Sequence, residues 1–351
     1  MAENTPNISE TNAGKKKGRL GDIVKFVVFV GIGLFFIWWF LLKLEPSQKQ
    51  AIWAAFKEAN YGWVAVVMAV CLLSHFVRAL RWRLLYQPLG QVPRLNSTFG
   101  AVVVAYMANL AFPRLGEVLR CAVLTSSDKV PIEKSLGTVV TERIIDVMAF
   151  GVIVLVGLLV MLGAAREWLE EALFSKFETL PSLALVAGVL IVVAVVCIFV
   201  YVKFRPRLVK HKIFKKIDDL LIGCVDGIKS ILHLGKKGMM LFVIYSLLIY
   251  LLYIMGGLII FRAFGETAAL GMGAAFVLYL FGSVGMGLSQ GGIGVYPVLV
   301  QKALAIYGMS LEVGTAVGWL LWGSQQVIII TVGLGYLVYF SLAKRRNNDA
   351  A

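Results

Sequence analysis

Residues 97–120 of this chain read STFGAVVVAYMANLAFPRLGEVLR, and this stretch decides how the chain is folded. Its apolar run stops at Pro113, and a charged segment that includes Arg114, Glu117 and Arg120 follows at once. A helix needs about 20 apolar residues to cross a bilayer. The run is short for a crossing, and the proline and glycine that follow it interrupt a helix.

The composition of the whole chain indicates that this stretch lies in a membrane. Of 351 residues, 59% are hydrophobic and 15% are charged, whereas soluble proteins contain about 45–50% and about 25%. These values exclude an ordinary soluble enzyme, a disordered chain and a disulfide scaffold. The net charge of +14 comes mainly from residues beside apolar runs, so we expect it to face lipid headgroups and not nucleic acid.

Apolar runs and their basic flanks predict the membrane topology. Basic clusters at 78–94, 203–216 and 344–346 are predicted to be cytoplasmic, and the mostly acidic loop 164–180 to be external. We expect one transmembrane domain at 21–343 between cytoplasmic tails at 1–20 and 344–351. The predicted full spans are approximately 23–44, 61–80, 135–163, 181–202, 239–261 and 313–342.

Counting these crossings predicts that the short run at 97–113 does not cross the membrane. Residues 78–96 are predicted inside and 164–180 outside, so an odd number of crossings separates them, although two apolar runs lie between. We therefore expect 97–113 to be a re-entrant element that enters from the cytoplasm and returns. Irregular backbone is tolerated at membrane depth only where it is buried in protein or lines a wet cavity.

A second interrupted stretch, about 268–307, begins and ends outside by the same count. Either a second re-entrant element or two full crossings satisfies its parity. The predicted fold is an all-α polytopic membrane protein with about six full transmembrane helices and two opposed re-entrant helical elements, and eight spans are the alternative. The predicted interruptions in this stretch are Gly282, Gly285, Gly287, Gly291, Gly292 and Gly294.

The basic segment at 205–237 carries apolar residues at helical spacing. This pattern is typical of an amphipathic helix on the inner leaflet, with a solvated linker helix as the alternative.

Ionisable side chains within the apolar runs fall into three clusters. Each costs about 3 kcal/mol or more to insert, so each requires a partner or a function. Two arginines on one helical face suit a phosphate, because guanidinium groups bind phosphate oxygens in pairs. The alternatives are positive-inside anchoring for the arginines at 78–83, internal pairing or a solvated helix face for the charges at 114–120, and a structural network of ion pairs for those at 142–146. The clusters are Arg78 with Arg81; Arg114, Glu117 and Arg120; and Glu142, Arg143 and Asp146.

Four motifs occur in a characteristic order: Ala79-Leu-Arg-Trp-Arg83, Pro113-Arg-Leu-Gly-Glu-Val-Leu-Arg120, Glu142-Arg-Ile-Ile-Asp146 and Gly291-Gly-Ile-Gly-Val295. Together they resemble the transmembrane domain of lysylphosphatidylglycerol synthase/flippase proteins over about residues 20–340. The resemblance implies a bacterial inner-membrane protein with both termini cytoplasmic and broken helices around a lipid-accessible cavity. It also implies movement of aminoacylated phosphatidylglycerol between leaflets.

This chain differs from many members of the family in two regions of its second half. Where members often have a proline and an acidic residue around the glycine motif, this chain has Gln290 and Tyr296-Pro297. Where the last span often carries an arginine, it offers Ser324, Gln325 and Gln326. The chain ends about ten residues past its last predicted span, so we expect no aminoacyl-transferase domain and no enzyme activity.

We therefore predict a transporter of phospholipids with anionic or amino headgroups. Arginines would hold the phosphate, carboxylates would balance them or meet an amine or a coupling proton, and glycines would let backbone N–H groups approach the substrate. The predicted substrate-binding residues are Arg78, Arg81, Arg114, Glu117, Arg120, Glu142, Arg143, Asp146, Gln290, Gly291, Gly292, Gly294, Tyr296, Gln325 and Gln326.

No catalytic residue, metal site or cofactor is predicted, and the four cysteines show no CxxC spacing. Further expected partners are a separately encoded lipid-modifying enzyme and other copies of the chain. Two alternative functions remain open: an intramembrane enzyme that acts on a lipid-linked substrate through the paired carboxylates, and a scaffold that binds lipid without moving it. His75 lies in a span with no nearby partner in sequence.

Overall fold

The computed structural model describes residues 46–111, 115–164 and 233–349, and these residues form helices joined by short turns, without a strand. The predicted spans at 23–44 and 181–202, the tail at 1–20 and most of the basic segment at 205–237 lie outside the described residues. The all-α prediction is therefore confirmed for the described part of the chain.

The described helices are numbered here in chain order. Two 3₁₀ turns, Gln87–Leu89 and Gln290–Gly292, interrupt the connections between them. The helices are α1 (Pro46–Glu58), α2 (Tyr61–Leu84), α3 (Leu95–Ala111), α4 (Leu115–Asp128), α5 (Ile132–Ala164), α6 (Gly235–Phe261), α7 (Met272–Leu288), α8 (Val295–Ala305) and α9 (Leu311–Asp349).

Within the described ranges, three segments are long and apolar enough to cross a membrane: Tyr61–Leu89, Gly235–Phe261 and Leu311–Ala343. They match the predicted spans at 61–80, 239–261 and 313–342, and α5 covers the predicted run at 135–163. Asn60 begins α2, since its side chain accepts a hydrogen bond from the Gly62 N–H. The total of six full spans stays a prediction.

The run at 97–113, as far as Ala111, lies in the first arm of a helical hairpin. Its arm α3 has 17 residues, about 26 Å of helix, which is shorter than a hydrocarbon core of about 30 Å. The second arm, α4, packs closely on α3, and the Gly116 N–H donates to Asn109 Oδ1 at 2.8 Å. At the open end, Arg94 Nε donates to Asp128 Oδ1 at 2.6 Å, which raises the pKa of Arg94.

The stretch at 268–307 forms a second helical hairpin from α7 and α8. Its arm α8 has 11 residues, about 16 Å of helix, so it is too short to cross the hydrocarbon core. This length favours the re-entrant alternative over two crossings. The break lies at Gly291, Gly292 and Gly294, whose φ angles of 60°, 76° and 72° suit glycine.

Three of the predicted interruptions were wrong, because Gly282, Gly285 and Gly287 lie inside the continuous helix α7. Two of them permit close packing against α8. A Cβ at Gly282 would lie 2.7 Å from a ring carbon of Tyr296, and one at Gly285 would lie 2.8 Å from the Tyr296 Cα.

The chain divides into two compact units, residues 137–239 and residues 1–136 with 240–351. In the second of these units, α9 packs against α1, α2, α3 and α8. Its core contains fully or almost fully buried side chains such as Phe261, Leu278, Leu304 and Leu321. Both hairpins belong to this unit.

Candidate functional site

Arg78 and Arg81 are buried on one face of α2, as their spacing predicts. Arg78 Nη2 donates to the Tyr253 hydroxyl at 3.1 Å, and Arg81 Nη1 donates to Ser246 Oγ at 3.2 Å, so both guanidinium groups face α6. A buried charge is costly unless its donors are satisfied. These hydroxyl acceptors on α6 therefore help to hold both charges inside the unit.

Aromatic faces surround the same guanidinium groups. The Cζ of Arg78 lies 5.7 Å from the ring centroid of Tyr106, and that of Arg81 lies 5.4 Å from Phe242. Arg120, on α4, is also buried, and its Cζ lies 4.5 Å from the ring centroid of Trp82. Such cation–π contacts strengthen when the partners leave water.

Arg83 differs from its two neighbours on α2. Its Nε donates to the Pro93 carbonyl oxygen at 2.9 Å, and its side chain is half-buried. It therefore anchors the loop before α3 and faces away from Arg78 and Arg81.

A cavity of about 160 Å³ lies among the helices of this unit. Its wall is largely apolar, with residues from α2, α3, α6, α7, α8 and α9. Two predicted site residues, Tyr296 and Gln325, line it, and their side chains are hydrogen-bonded to each other. The other polar side chains in the wall are Cys71, His75, Tyr106, Tyr253, Tyr279 and Ser283.

The aromatic side chains of the wall are arranged against one another. Tyr253 and Tyr279 are stacked, with centroids 6.0 Å apart and planes 18° apart. His75 lies against Tyr106 at 4.4 Å. Because Tyr253 accepts from Arg78 and Tyr106 lies below its guanidinium, this arginine sits directly behind the cavity wall.

The end of α3 lies close to the break of the second hairpin. A Cβ on Gly291 would lie 2.8 Å from Leu110 Cδ2 at the end of α3, and the Gly291 carbonyl accepts from Trp322 Nε1 at 2.8 Å. The Gly292 N–H donates to the Ser289 carbonyl at 3.2 Å, so it is engaged in the turn itself. Substrate contact by Gly291 and Gly294 stays a prediction.

The remaining predicted residues are spread over the chain. Gln290 begins the 3₁₀ turn of the second hairpin, and Glu117 is half-buried on α4. Gln326 is 6% exposed, and its amide makes no hydrogen bond within the described part of the chain. Arg114 lies outside the described residues.

The third charged cluster lies on α5, in the unit at 137–239. Glu142 is fully buried, whereas Arg143 and Asp146 are half-buried. Pairing of these carboxylates with the arginines of the other unit stays a prediction.

Sequence reasoning missed the aromatic and imidazole side chains of the cavity, above all His75, Tyr106, Tyr253 and Tyr279. One signal was present: His75 precedes Arg78 by three residues, so the two share a helical face. The expectation that His75 has no nearby partner in sequence was wrong, because Cys71 Sγ on the same helix lies 3.7 Å from His75 Nε2. The aromatic partners of His75 and Arg78 come from helices that are remote in sequence, and no local pattern marks them.

Comparisons with known proteins agree with the membrane architecture. A family model described as the transmembrane region of lysylphosphatidylglycerol synthase matches residues 23–333. The chain is also 26% identical over 121 residues to a protein named Glycosyltransferase AglD from Haloferax volcanii, a match that covers 33% of this chain and 19% of that protein. The chain thus spans about a fifth of that relative. No solved structure matches it.

Proposed function

The chain belongs to the lysylphosphatidylglycerol synthase transmembrane-region family, and from this premise we propose that it moves a phospholipid between the two leaflets of a membrane. The observation that carries the proposal is the burial of Arg78, Arg81 and Arg120 in a unit that also contains a cavity. Buried arginines in a membrane protein are expensive and commonly mark a substrate path.

A charged headgroup pays a large desolvation cost when it enters hydrocarbon. Guanidinium groups lower that cost because each presents several fixed N–H donors to phosphate oxygens. Two hairpins, with the end of α3 beside the break of the second, would provide a polar region for the headgroup, as in transporters that bind substrates at discontinuous helices. The proposed site of action is a bacterial inner membrane, with both chain termini in the cytoplasm.

A second candidate is an enzyme activity on a lipid-linked substrate. It is favoured by the partial similarity to a protein named a glycosyltransferase. Glu142 and Asp146, four residues apart on α5, would be its acid and base groups. A scaffold that binds lipid without moving or converting it is the third candidate.

Reconstitution into liposomes distinguishes these functions. A phospholipid with a fluorescent acyl chain is placed in both leaflets, and dithionite is added outside, so that transfer exposes the inner pool to quenching. The proposal predicts transfer above that of empty vesicles without chemical change of the lipid. A rate equal to that of empty vesicles contradicts it, and conversion of the lipid into a product supports the enzyme.

The variant Arg120→Gln should lower the transfer rate about tenfold or more. A hydrogen bond from a charged donor contributes about 1.5–3 kcal/mol, and 1.4 kcal/mol corresponds to a factor of ten. The matched control is Arg262→Gln, which removes an exposed arginine after α6. Equal rates for Arg120→Gln and the control would contradict a role of Arg120 in transport.

A further inference from the structure

We propose that the cavity binds the uncharged, hydroxylated part of a lipid headgroup, about the size of one six-membered ring. This inference rests on the proposed function and names its substrate class. The volume of about 160 Å³ sets the size, since a protein cavity of about 150 Å³ accommodates benzene. One ring fits such a space, whereas the longer headgroup of an aminoacylated phospholipid would extend beyond it.

The charges around the cavity disfavour an amine. Among the described residues that line it, none is a carboxylate. Arg78 lies directly behind the wall, bonded to Tyr253 and above the ring of Tyr106. An ammonium group would therefore meet a like charge without an acidic partner, which disfavours its charged form.

A cage of aromatic rings is the usual alternative for a cation without a carboxylate. Here the rings already have partners. Tyr106 has Arg78 over its face, and Tyr253 is stacked on Tyr279. One face of each of these rings is therefore occupied by a group of the protein, which disfavours the cage alternative.

The hydrogen-bonding groups of the wall suit hydroxyls. Tyr253 accepts from a guanidinium, which polarises its own O–H into a better donor. His75 lines the cavity and is 4% exposed, and its Nδ1 has no hydrogen-bond partner in the described ranges. Buried polar atoms normally have a partner. A hydroxyl both donates and accepts, whereas an ammonium only donates.

Binding to the purified full chain tests this chemistry. Four lipids with identical acyl chains are compared by native mass spectrometry: phosphatidylinositol, glucosyl-diacylglycerol, phosphatidylethanolamine and lysyl-phosphatidylglycerol. The two hydroxylated lipids should bind at least about fivefold more than the two amino lipids. Phosphatidylinositol and glucosyl-diacylglycerol differ in the phosphate, so their ratio reports whether the phosphate adds to recognition of the ring.

A variant series assigns the preference to the cavity. His75→Phe keeps the ring against Tyr106 but removes both nitrogens, and should reduce the preference to about twofold or less. His75→Gln keeps a polar group and should retain most of it. Ser283→Ala is a smaller change in the same wall, for use if His75→Phe does not fold. The control, Tyr339→Phe, alters an exposed side chain near the end of α9 and should change nothing.

Leaflet transfer of the same lipids separates this inference from the proposed function. Equal binding of all four lipids, or a preference for the amino lipids, overturns the inference. If the protein nevertheless transfers these lipids between leaflets, the proposed transport function is retained. Selective binding of hydroxylated lipids with no transfer of any lipid overturns the transporter and retains the headgroup class. A preference that persists in both His75→Phe and Ser283→Ala overturns the assignment to this cavity.

Discussion

Gly116 allows the two arms of the first hairpin to pack closely against each other. A Cβ at this glycine would overlap the carbonyl oxygen of Ala105, which is backbone and cannot rotate away. Because the two arms must separate, we predict that Gly116→Ala lowers the free energy of unfolding by about 1–3 kcal/mol, the usual cost of overpacking. Thermal unfolding in detergent measures this change.

Gly287→Ala on α7 is the matched control, because nothing lies within 4 Å of a Cβ there. Alanine is the better helix former, so this variant should be neutral or more stable by up to about 1 kcal/mol. If both variants unfolded at the same temperature, the close approach of α3 and α4 would be contradicted.

Trp322 holds the break of the second hairpin to α9. We predict that Trp322→Phe lowers stability by about 1–3 kcal/mol, because the Gly291 carbonyl loses the indole donor at 2.8 Å. Thermal unfolding again provides the measurement. Trp53→Phe, which alters a 63% exposed side chain on α1, should leave the unfolding temperature unchanged. Equal losses in the two variants would refute the role of this hydrogen bond.

The hairpins are the elements that set the topology. Arg94 and Asp128 join the open end of the first, and a Cβ on Gly273 would lie 3.9 Å from the Tyr307 hydroxyl at the open end of the second. We therefore expect each hairpin to begin and end on one side of the membrane. The basic flanks and the acidic loop predict that those sides are opposite each other.

Accessibility labelling of single cysteines tests this arrangement in a background without native cysteines. Gly90→Cys and Ser126→Cys should react only after the membrane is opened, because both flank the first hairpin in the cytoplasm. Met272→Cys and Ile306→Cys, which replace exposed side chains, should react from outside. Labelling of the two members of either pair from opposite sides would contradict the corresponding hairpin.

The apolar runs were sufficient to predict most of the described helices. The parity of basic flanks also predicted that 97–113 turns back, which hydropathy by itself does not indicate. The glycines of α7 were misassigned because the sequence alone does not distinguish a glycine that breaks a helix from one that lets a neighbouring helix pack closely. Only the position of Tyr296 against Gly282 and Gly285 distinguishes these cases.

In the unit formed by residues 1–136 and 240–351, the sequence predicted the site residues that stand out locally, but not those whose partners are far away along the chain. The arginines could be predicted because charges stand out within an apolar run. The cavity could not, since its wall is built from helices remote in sequence: Tyr253 lines it, and the Arg78 side chain that donates to Tyr253 is 175 residues away along the chain. His75 was missed although it shares a helical face with Arg78, because its ring partner Tyr106 belongs to another helix.

The central claim is that buried guanidinium groups carry a phospholipid headgroup across the membrane. Leaflet transfer in liposomes by Arg81→Gln, compared with Arg83→Gln from the same helix, tests it most directly, and Arg81→Lys shows whether a positive charge suffices. We predict a loss of about tenfold or more for Arg81→Gln, partial activity for Arg81→Lys and a normal rate for Arg83→Gln. A folded Arg81→Gln protein that transfers lipid at the wild-type rate would contradict the claim.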